Sequence, residues 1–243
     1  MEQETYDVVV VGGGISGLTA SMFTARHDLD TIVLDTGESI LRRNAHLENF
    51  PGFPGGVNAR HLLDLVAEQA TNAGVTRYEA EVETVSVADE GFVISTIAGE
   101  TCAATYVIAA TKNEVGYLEG IDAVGIIDRG DTFVDVDERG RSGVEGLYVA
   151  GRLAENPHQA VVSAGHGATV AITILEDDAK PFYHDWVAPT GYFTDRGRDV
   201  PPGCEEIDAP ESQRREEQSL ATMQARFAEL YPDPQETHPS LVE

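Results

Sequence analysis

The sequence predicts an α/β fold with a central parallel sheet, a small antiparallel sheet, and an irregular and helical C-terminal tail. The first observation is an opening of strand, glycine-rich turn, helix and strand over residues 7–35. The second is a set of β-rich segments divided by tight turns over residues 81–104. The third is a pair of short apolar runs, at residues 106–110 and 144–150, which are typical of buried parallel strands.

The opening elements form a βαβ unit. Residues 7–11 are predicted as an apolar strand, and the glycine-rich turn follows over residues 12–17. A helix then runs to about His27, and residues 31–35 form the second strand.

Turn residues and a helix cap divide the middle of the chain. The loop over residues 49–56 is too rich in glycine and proline for regular structure, and such a loop inside a compact domain is usually functional. Asn58 is suited to cap a helix that ends near Asn72. The remaining elements are predicted as strands at 81–87, 91–97, 101–104 and 106–110, a strand pair around 132–137, a strand at 144–150, and helices at 157–175 and 210–230.

The charge of the chain is strongly negative. The formal net charge of −26 arises from 42 acidic and 16 basic residues, and lysine occurs only at Lys112 and Lys180. Because concentrated salt screens such self-repulsion, this composition favours a salt-loving source such as a haloarchaeon. The alternative is an acidic surface that docks a basic partner. The same charge argues against nucleic-acid binding.

Three further features limit the classes of protein to which the chain can belong. We expect no membrane span, since no window holds the roughly 18 apolar residues that a transmembrane helix needs. The N-terminus lacks the pattern of a secretory signal, which predicts a cytoplasmic protein. Cys102 and Cys204 lie far apart in the sequence, so we expect neither a disulfide framework nor a metal or redox cysteine pair.

The first turn carries the strongest chemical signal. Gly12, Gly14 and Gly17 have the G-x-G-x-x-G spacing between a strand and a helix, and the turn also contains Ile15 and Ser16. The glycines allow a tight turn, close approach of backbone to a pyrophosphate, and close packing of helix on strand. Asp35 ends the second strand, where a carboxylate accepts hydrogen bonds from a ribose. This pattern predicts a Rossmann-like site for the adenosine diphosphate half of a dinucleotide.

Four motifs follow one another over roughly residues 6–176. They are the first turn, Glu48-Asn49-Phe50-Pro51-Gly52, Val107-Ile108-Ala109-Ala110-Thr111, and Gly146-Leu147-Tyr148-Val149-Ala150-Gly151 with Gln159-Ala160 and Ser163-Ala164-Gly165 beyond it. In this order they resemble the motifs of the thioredoxin reductase-like branch of the pyridine nucleotide-disulfide oxidoreductases. The resemblance implies that the cofactor is FAD. It also implies an FAD-binding domain over residues 1–176 and a C-terminal extension over residues 177–243.

The resemblance assigns positions around the flavin. Asn49 would lie near the isoalloxazine ring, and Gln159 and Ala160 at its pyrimidine edge. Thr111 and Gly151 belong to the motifs that contact the cofactor. A helix beginning near residue 157 would direct its N-terminus at the flavin and stabilise the anionic reduced form.

His158 and His166 flank the same region. A histidine beside a flavin could shuttle protons, whereas a helical histidine is more often a packed or capped residue.

The sequence also departs from that family. A short connector over residues 113–131 replaces the NAD(P)H domain between the segments 1–112 and 132–176, and the redox cysteine pair is missing. Lys112 stands where the family has glycine, and Arg152 where it has aspartate. One interpretation is that these two cations bind a phosphate group or attract an anionic ligand. The alternative is that the site now binds another nucleotide or no longer binds flavin tightly.

The resemblance favours an FAD-dependent oxidoreductase served by a small-molecule or protein electron donor. No side chain stands out as a catalytic acid, base or nucleophile, and the substrate is not indicated. One alternative is a non-catalytic flavin- or nucleotide-binding sensor or assembly module, and a second is an NAD-binding protein. The predicted C-terminal helix is a candidate for a homodimer interface, and the alternative is a solvated, partly disordered end.

Overall fold

The structure is a computed structural model that describes residues 4–178 and 184–235. The described residues fall into two compact units, residues 4–178 with 235 and residues 184–234. The aromatic residues Phe182 and Tyr183 of the predicted tail lie outside the described residues.

The first unit is built on a seven-stranded sheet in the order β3-β2-β1-β6-β5-β4, with β9 also paired to β6. The β1, β2, β3, β6 and β9 pairings are parallel, whereas β4, β5 and the first half of β6 are antiparallel. The strands are β1 (Glu4–Val11), β2 (Thr31–Asp35), β3 (Thr76–Glu79), β4 (Val82–Val87), β5 (Phe92–Thr96), β6 (Thr101–Ala109), β7 (Ile126–Asp128), β8 (Thr132–Val134) and β9 (Leu147–Val149). The predicted α/β class is confirmed.

Strand β6 corrects one prediction. Residues 101–104 and 106–110 were expected as separate strands, but residues 101–109 form one strand, because β1 pairs along it from Glu4 with Cys102 to Val11 with Ala109. On its other side, the first half of β6 pairs with β5 and the second half with β9. The antiparallel strands β4 and β5 therefore extend the main sheet. Among the described residues, the hairpin β7–β8 forms a separate antiparallel pair.

Three helices cover one face of this sheet. They are α1 (Ile15–Arg26), α2 (Ala59–Asn72) and α3 (Ala160–Asp177). Val8 and Val10 of β1 face them, together with Leu18 of α1 and Ile174 of α3, and all four are fully buried. This period of two along β1 is the alternation expected for a strand between two packed layers.

The connector after β6 covers the opposite face. Val9 and Val11 of β1 point there and pack with Leu118, Ile121 and Val124. Leu118 is fully buried, so this stretch contributes to the core of the unit and is more than a linker.

The starts of two helices confirm one prediction and correct another. Asn58 caps α2 as predicted, since its side-chain oxygen accepts from the backbone N–H groups of Arg60 and His61. Helix α3 begins at Ala160 and not near residue 157. The reason is a tight turn, in which the Gln159 N–H donates to the Pro157 carbonyl while Gln159 keeps extended backbone.

The second unit contains β10 (Trp186–Pro189), β11 (Cys204–Ile207) and α4 (Ala209–Arg226). The two strands are parallel and were not predicted, and α4 ends earlier than the predicted residue 230. The Glu206 carboxylate accepts from the backbone N–H groups of Gly191, Phe193 and Thr194, and these bonds hold its pKa at about 2. Within the described part of both units, no helix is long and apolar enough to cross a bilayer.

Candidate dinucleotide-binding site

The first glycine of the turn ends β1 in a conformation that side chains rarely adopt. Gly12 has a φ of +106°, and its N–H donates to the Leu34 carbonyl over 2.8 Å. A Cβ on Gly12 would lie 2.7 Å from the carbonyl oxygen of Ala110. Glycine is therefore required here by the backbone and by the neighbouring strand β6.

Protein atoms exclude a side chain at two of the other glycines of the turn, but not at the third. A Cβ on Gly17 would overlap the carbonyl oxygen of Gly12, and a Cβ on Gly13 would overlap the Asp35 carboxylate. Gly13 was not singled out from the sequence, because its neighbour comes from another strand. At Gly14 the nearest atom to a Cβ is Ser39 Oγ, 3.6 Å away, which is an ordinary van der Waals distance, so no protein atom excludes a side chain there. A cradle with room beside its glycine is expected where backbone approaches a pyrophosphate.

Helices α1 and α3 leave their N-terminal backbone groups without side-chain caps. Gly14 at the start of α1 and Gln159 at the start of α3 make no side-chain cap bond, and neither first turn contains an acid. By contrast, Asn58 caps α2 and Asp208 caps α4. The free N–H groups and positive helix ends at α1 and α3 suit an anionic ligand.

Asp35 lies beside the turn and lines a cleft. Its side chain is 13% exposed, and Arg77 Nη2 lies 3.8 Å from its Oδ2. The cleft of about 330 Å³ is formed by the ends of β2 and β3 and is lined by Asp35, Thr36, Gly37, Arg77, Tyr78 and Glu79. A carboxylate in this position can accept from the hydroxyl groups of a ribose.

The end of β6 lies against the glycine turn. The Ala110 N–H donates to the Val11 carbonyl over 2.8 Å. The Thr111 hydroxyl donates to the Glu114 carbonyl over 2.6 Å and lies 2.9 Å from the Tyr117 hydroxyl, whose pKa is raised by burial. The Thr111 side chain is thus engaged within its own turn.

Gly151 brings the last motif to the start of α1. Its φ is +71°, and a Cβ there would lie 2.5 Å from Ser16 Oγ. The Gly151 N–H donates to Nδ1 of His166 over 2.9 Å, and burial lowers the pKa of that imidazole. His166 is therefore a neutral acceptor that positions the loop, which favours the packed alternative over a proton shuttle.

Asn49 and Gln159 meet at the start of α3. Nδ2 of Asn49 donates to Oε1 of Gln159 over 2.7 Å. Ala160 follows as the first residue of the helix. The loop over residues 49–56 is thereby joined to the helix end that the last motif places beside the glycine turn.

The two cations of the site have different surroundings. Arg152 donates to the Asn156 carbonyl over 3.1 Å, lies 3.4 Å from Asp131 Oδ2, and stacks its guanidinium 4.6 Å from the centre of the Phe133 ring. Lys112 has a φ of +67°, and the structure gives its ammonium group no hydrogen-bonding or acidic partner among residues 4–178 and 184–235. Arg152 is therefore already engaged, whereas Lys112 is not.

The four motifs thus converge on one region. Gly12 contacts the end of β6, Ser16 contacts Gly151, and Asn49 contacts Gln159. The free cysteines do not take part in it, since Cys102 lies on β6 and Cys204 on β11 of the other unit. No group of three or more histidine, cysteine or acidic side chains suited to a metal ion occurs in the described segments.

Comparison with known proteins identifies the cofactor of this region. Residues 7–47 match the FAD binding domain family. The chain is 34% identical over 117 residues to the bifunctional thioredoxin reductase/thioredoxin of Mycobacterium leprae, a match that covers 47% of this chain and 25% of that protein. It is 29% identical over 137 residues to the thioredoxin reductase of Aquifex aeolicus, which covers 51% of this chain and 42% of that protein.

Solved structures show the same fold. The thioredoxin reductase from Gloeobacter violaceus matches with a TM-score of 0.66 at 19% identity, over 75% of this chain and 100% of that chain. The thioredoxin reductase from Streptococcus pyogenes matches with a TM-score of 0.65 at 11% identity, over 72% of this chain and 98% of that chain.

Together these matches show a thioredoxin reductase-like FAD-binding domain, and FAD is its cofactor. The cradle at Gly14, from which no protein atom excludes a ligand, and the uncapped helix ends fit that group. The match covers about a quarter of the length of the Mycobacterium leprae protein and about two fifths of the length of the Aquifex aeolicus protein.

Proposed function

We propose that the chain is an FAD-dependent oxidoreductase that exchanges electrons with a diffusible donor or a protein partner. The observation that carries this proposal is the bond between Asn49 and Gln159 at the uncapped start of α3, beside the motif that packs on the glycine turn. A dinucleotide that extends from the turn towards this helix would meet polar groups along its length.

Each part of the site has a separate task in this account. The turn from Gly12 to Gly17 and the first amides of α1 bind the diphosphate, and Asp35 accepts from the ribose of the adenosine half. Bound FAD supplies a ring that accepts and releases electron pairs.

The start of α3 would act on the ring. Because Oε1 of Gln159 accepts from Asn49, the two amide hydrogens of Gln159 remain available to donate to an acceptor on the ring. The partial positive charge at the start of α3 would stabilise negative charge that develops near Ala160. No catalytic acid or base is assigned among these residues.

The proposed electron route avoids an internal NAD(P)H domain. Between β6 and β9 the chain forms the hairpin β7–β8 and a segment in which Leu118, Ile121 and Val124 cover the sheet. A dinucleotide-binding βαβ unit needs about 30 residues or more with a helix of its own. The apolar residues of this stretch are instead used in the core of the first unit.

Anaerobic reduction tests this route. Dithionite should bleach the flavin spectrum, whereas stoichiometric NADH or NADPH should leave it unchanged on the same time scale. Rapid bleaching by either nicotinamide would contradict the proposed route, although it would leave FAD binding intact.

A second candidate function is a non-catalytic flavin-binding sensor or assembly module. It is favoured by the cysteine content, because the two cysteines of the chain lie on β6 and β11 and belong to different units. Steady-state reduction of an artificial electron acceptor by excess dithionite, measured with the protein and corrected for the rate without it, separates the two functions. Multiple turnovers support the oxidoreductase, and a flavin that reoxidises only slowly supports the sensor.

We also propose a homodimeric protein from a salt-loving source, on the basis of the predicted C-terminal helix and the acidic composition. Sedimentation equilibrium in concentrated KCl would measure the assembly directly. A monomer at all concentrations would contradict the homodimer.

A further inference from the structure

We propose that the Lys112 ammonium group binds the pyrophosphate of the dinucleotide and so raises the affinity of this acidic chain for FAD. This inference rests on the proposed function, because it requires that FAD occupies the glycine turn.

The position of Lys112 beside the turn is fixed by its neighbours. Lys112 follows Thr111, whose backbone nitrogen lies 3.3 Å from where a Cβ on Gly12 would be. Ala110 is bonded to Val11 over 2.8 Å, and Asn113 Nδ2 donates to Asp131 over 2.9 Å. The backbone before Lys112 is therefore held next to Gly12, and the side chain after it is held by Asp131.

The backbone conformation of Lys112 is unfavourable for a lysine. Its φ of +67° lies in the left-handed region, which glycine adopts without steric cost. Among the described residues, the other non-glycine residues with positive φ are Asp28, Glu155 and Asp185, and aspartate tolerates this region better than lysine does. Conformations of this kind persist where the surrounding structure holds them, and they cluster at active sites and ligand-binding sites.

The charge of Lys112 has no acidic partner in the described segments. Two arginines of the site are already engaged, Arg77 with Asp35 and Arg152 with Asp131. The first turn of α1 contains no acid either. In a chain with a net charge of −26, an ammonium group without an acidic partner, on the residue that follows the contact of Thr111 with the glycine turn, is suited to an anion that comes from outside the protein.

The opposite role for Lys112 is steric. A side chain longer than glycine could crowd the dinucleotide and weaken its binding. The two roles predict opposite changes in FAD affinity on replacement of Lys112, so they can be separated by substitution.

The test compares FAD dissociation constants of the wild type, K112Q, K112R and K112G after removal and titration of the cofactor. K112Q removes the charge and keeps the length, so FAD should bind about tenfold more weakly, and K112R should bind within about twofold of the wild type. The affinity of K112Q should also depend less on KCl than that of the wild type.

K112G separates strain from binding. It relieves the left-handed strain, so the melting temperature of its FAD-free form should not fall, while its FAD affinity should fall about tenfold. D28G is the matched control, because Asp28 has a φ of +59° and lies in the loop after α1. D28G should leave FAD affinity unchanged.

Three results would overturn this inference alone: equal affinity of K112Q and the wild type, tighter binding by K112G, or binding by K112R as weak as that of K112Q. A wild-type protein that binds no FAD would overturn the proposed function and this inference with it.

Discussion

Nδ2 of Asn49 donates to Oε1 of Gln159 over 2.7 Å, although 110 positions separate the two residues in the chain. The bond joins an irregular loop to the first turn of α3. It also fixes which face of the Gln159 amide is left to donate. Asn49 therefore acts through Gln159 in this account, as a positioning residue.

Loss of this bond should weaken FAD binding without unfolding the protein. We expect N49A and Q159A each to raise the FAD dissociation constant about fivefold, since a single hydrogen bond contributes about 1 kcal/mol. Because the two side chains act together, the double variant should lose little more than Q159A alone. Fluorescence titration with FAD measures these constants.

The matched control is N72A, which removes an exposed asparagine at the end of α2. It should bind FAD like the wild type. Fully additive losses in N49A and Q159A would show that the two side chains act independently.

The glycines of the first turn should separate into two groups. We expect G17A to lower the yield of folded protein, because its Cβ would overlap the Gly12 carbonyl. G14A should fold with a loss below about 1 kcal/mol, since the nearest atom is 3.6 Å away. It should nevertheless lose FAD, because the added methyl group fills the cradle.

Thermal unfolding of the FAD-free proteins and FAD titration measure the two effects. A G14A protein that retains FAD with wild-type affinity would show that the pyrophosphate does not approach this backbone.

The sequence predicted those features that local pattern determines. The strand, turn and helix around Gly12 follow from glycine spacing and apolar runs, and the cap at Asn58 follows from a single side chain. Strand β3 was missed because all four of its residues are exposed, so it carries no hydrophobic alternation. The parallel pair β10–β11 was missed since its pairing joins distant segments.

The residues of the candidate site also differ in whether the local sequence could predict them. Gly12, Gly17 and Asp35 could be assigned from spacing, whereas Asn49 and Gln159 required the resemblance to a family. Gly13 escaped notice because its constraint is the Asp35 carboxylate of a different strand. Contacts of this kind depend on how the strands pair in the sheet, so the local sequence does not predict them.

His166 should make stability depend on pH. Burial lowers the pKa of the folded imidazole below its usual 6.5, so below that pH the unfolded chain binds a proton that the folded chain does not. The free energy of unfolding should therefore fall as pH decreases through 6.5. H166N keeps an acceptor for the Gly151 N–H and lacks the titration, so it should show less of this decline.

Urea unfolding between about pH 5 and 7 compares the two proteins. H166A is the second comparison, and it should be less stable by about 1–2 kcal/mol at neutral pH because the Gly151 N–H loses its partner. Identical pH profiles of the wild type and H166N would contradict this role for His166.

Salt should stabilise the folded chain. The 42 acidic residues repel one another at low ionic strength, and about 1 M salt shortens the screening length to about 3 Å. The melting temperature should rise with KCl, and it should rise less steeply in a variant with exposed carboxylates neutralised, such as D89N/E90Q. A melting temperature independent of KCl would remove the argument for a salt-loving source.

FAD in the cradle formed by Gly12, Gly14 and Asp35 is the central claim, and the visible spectrum of the purified protein together with the identity of its released ligand tests it most directly. Protein purified in concentrated salt should show the bands of oxidised flavin and release about one FAD per chain. A colourless protein that releases NAD or another nucleotide, or that releases none and binds no added FAD, would contradict it.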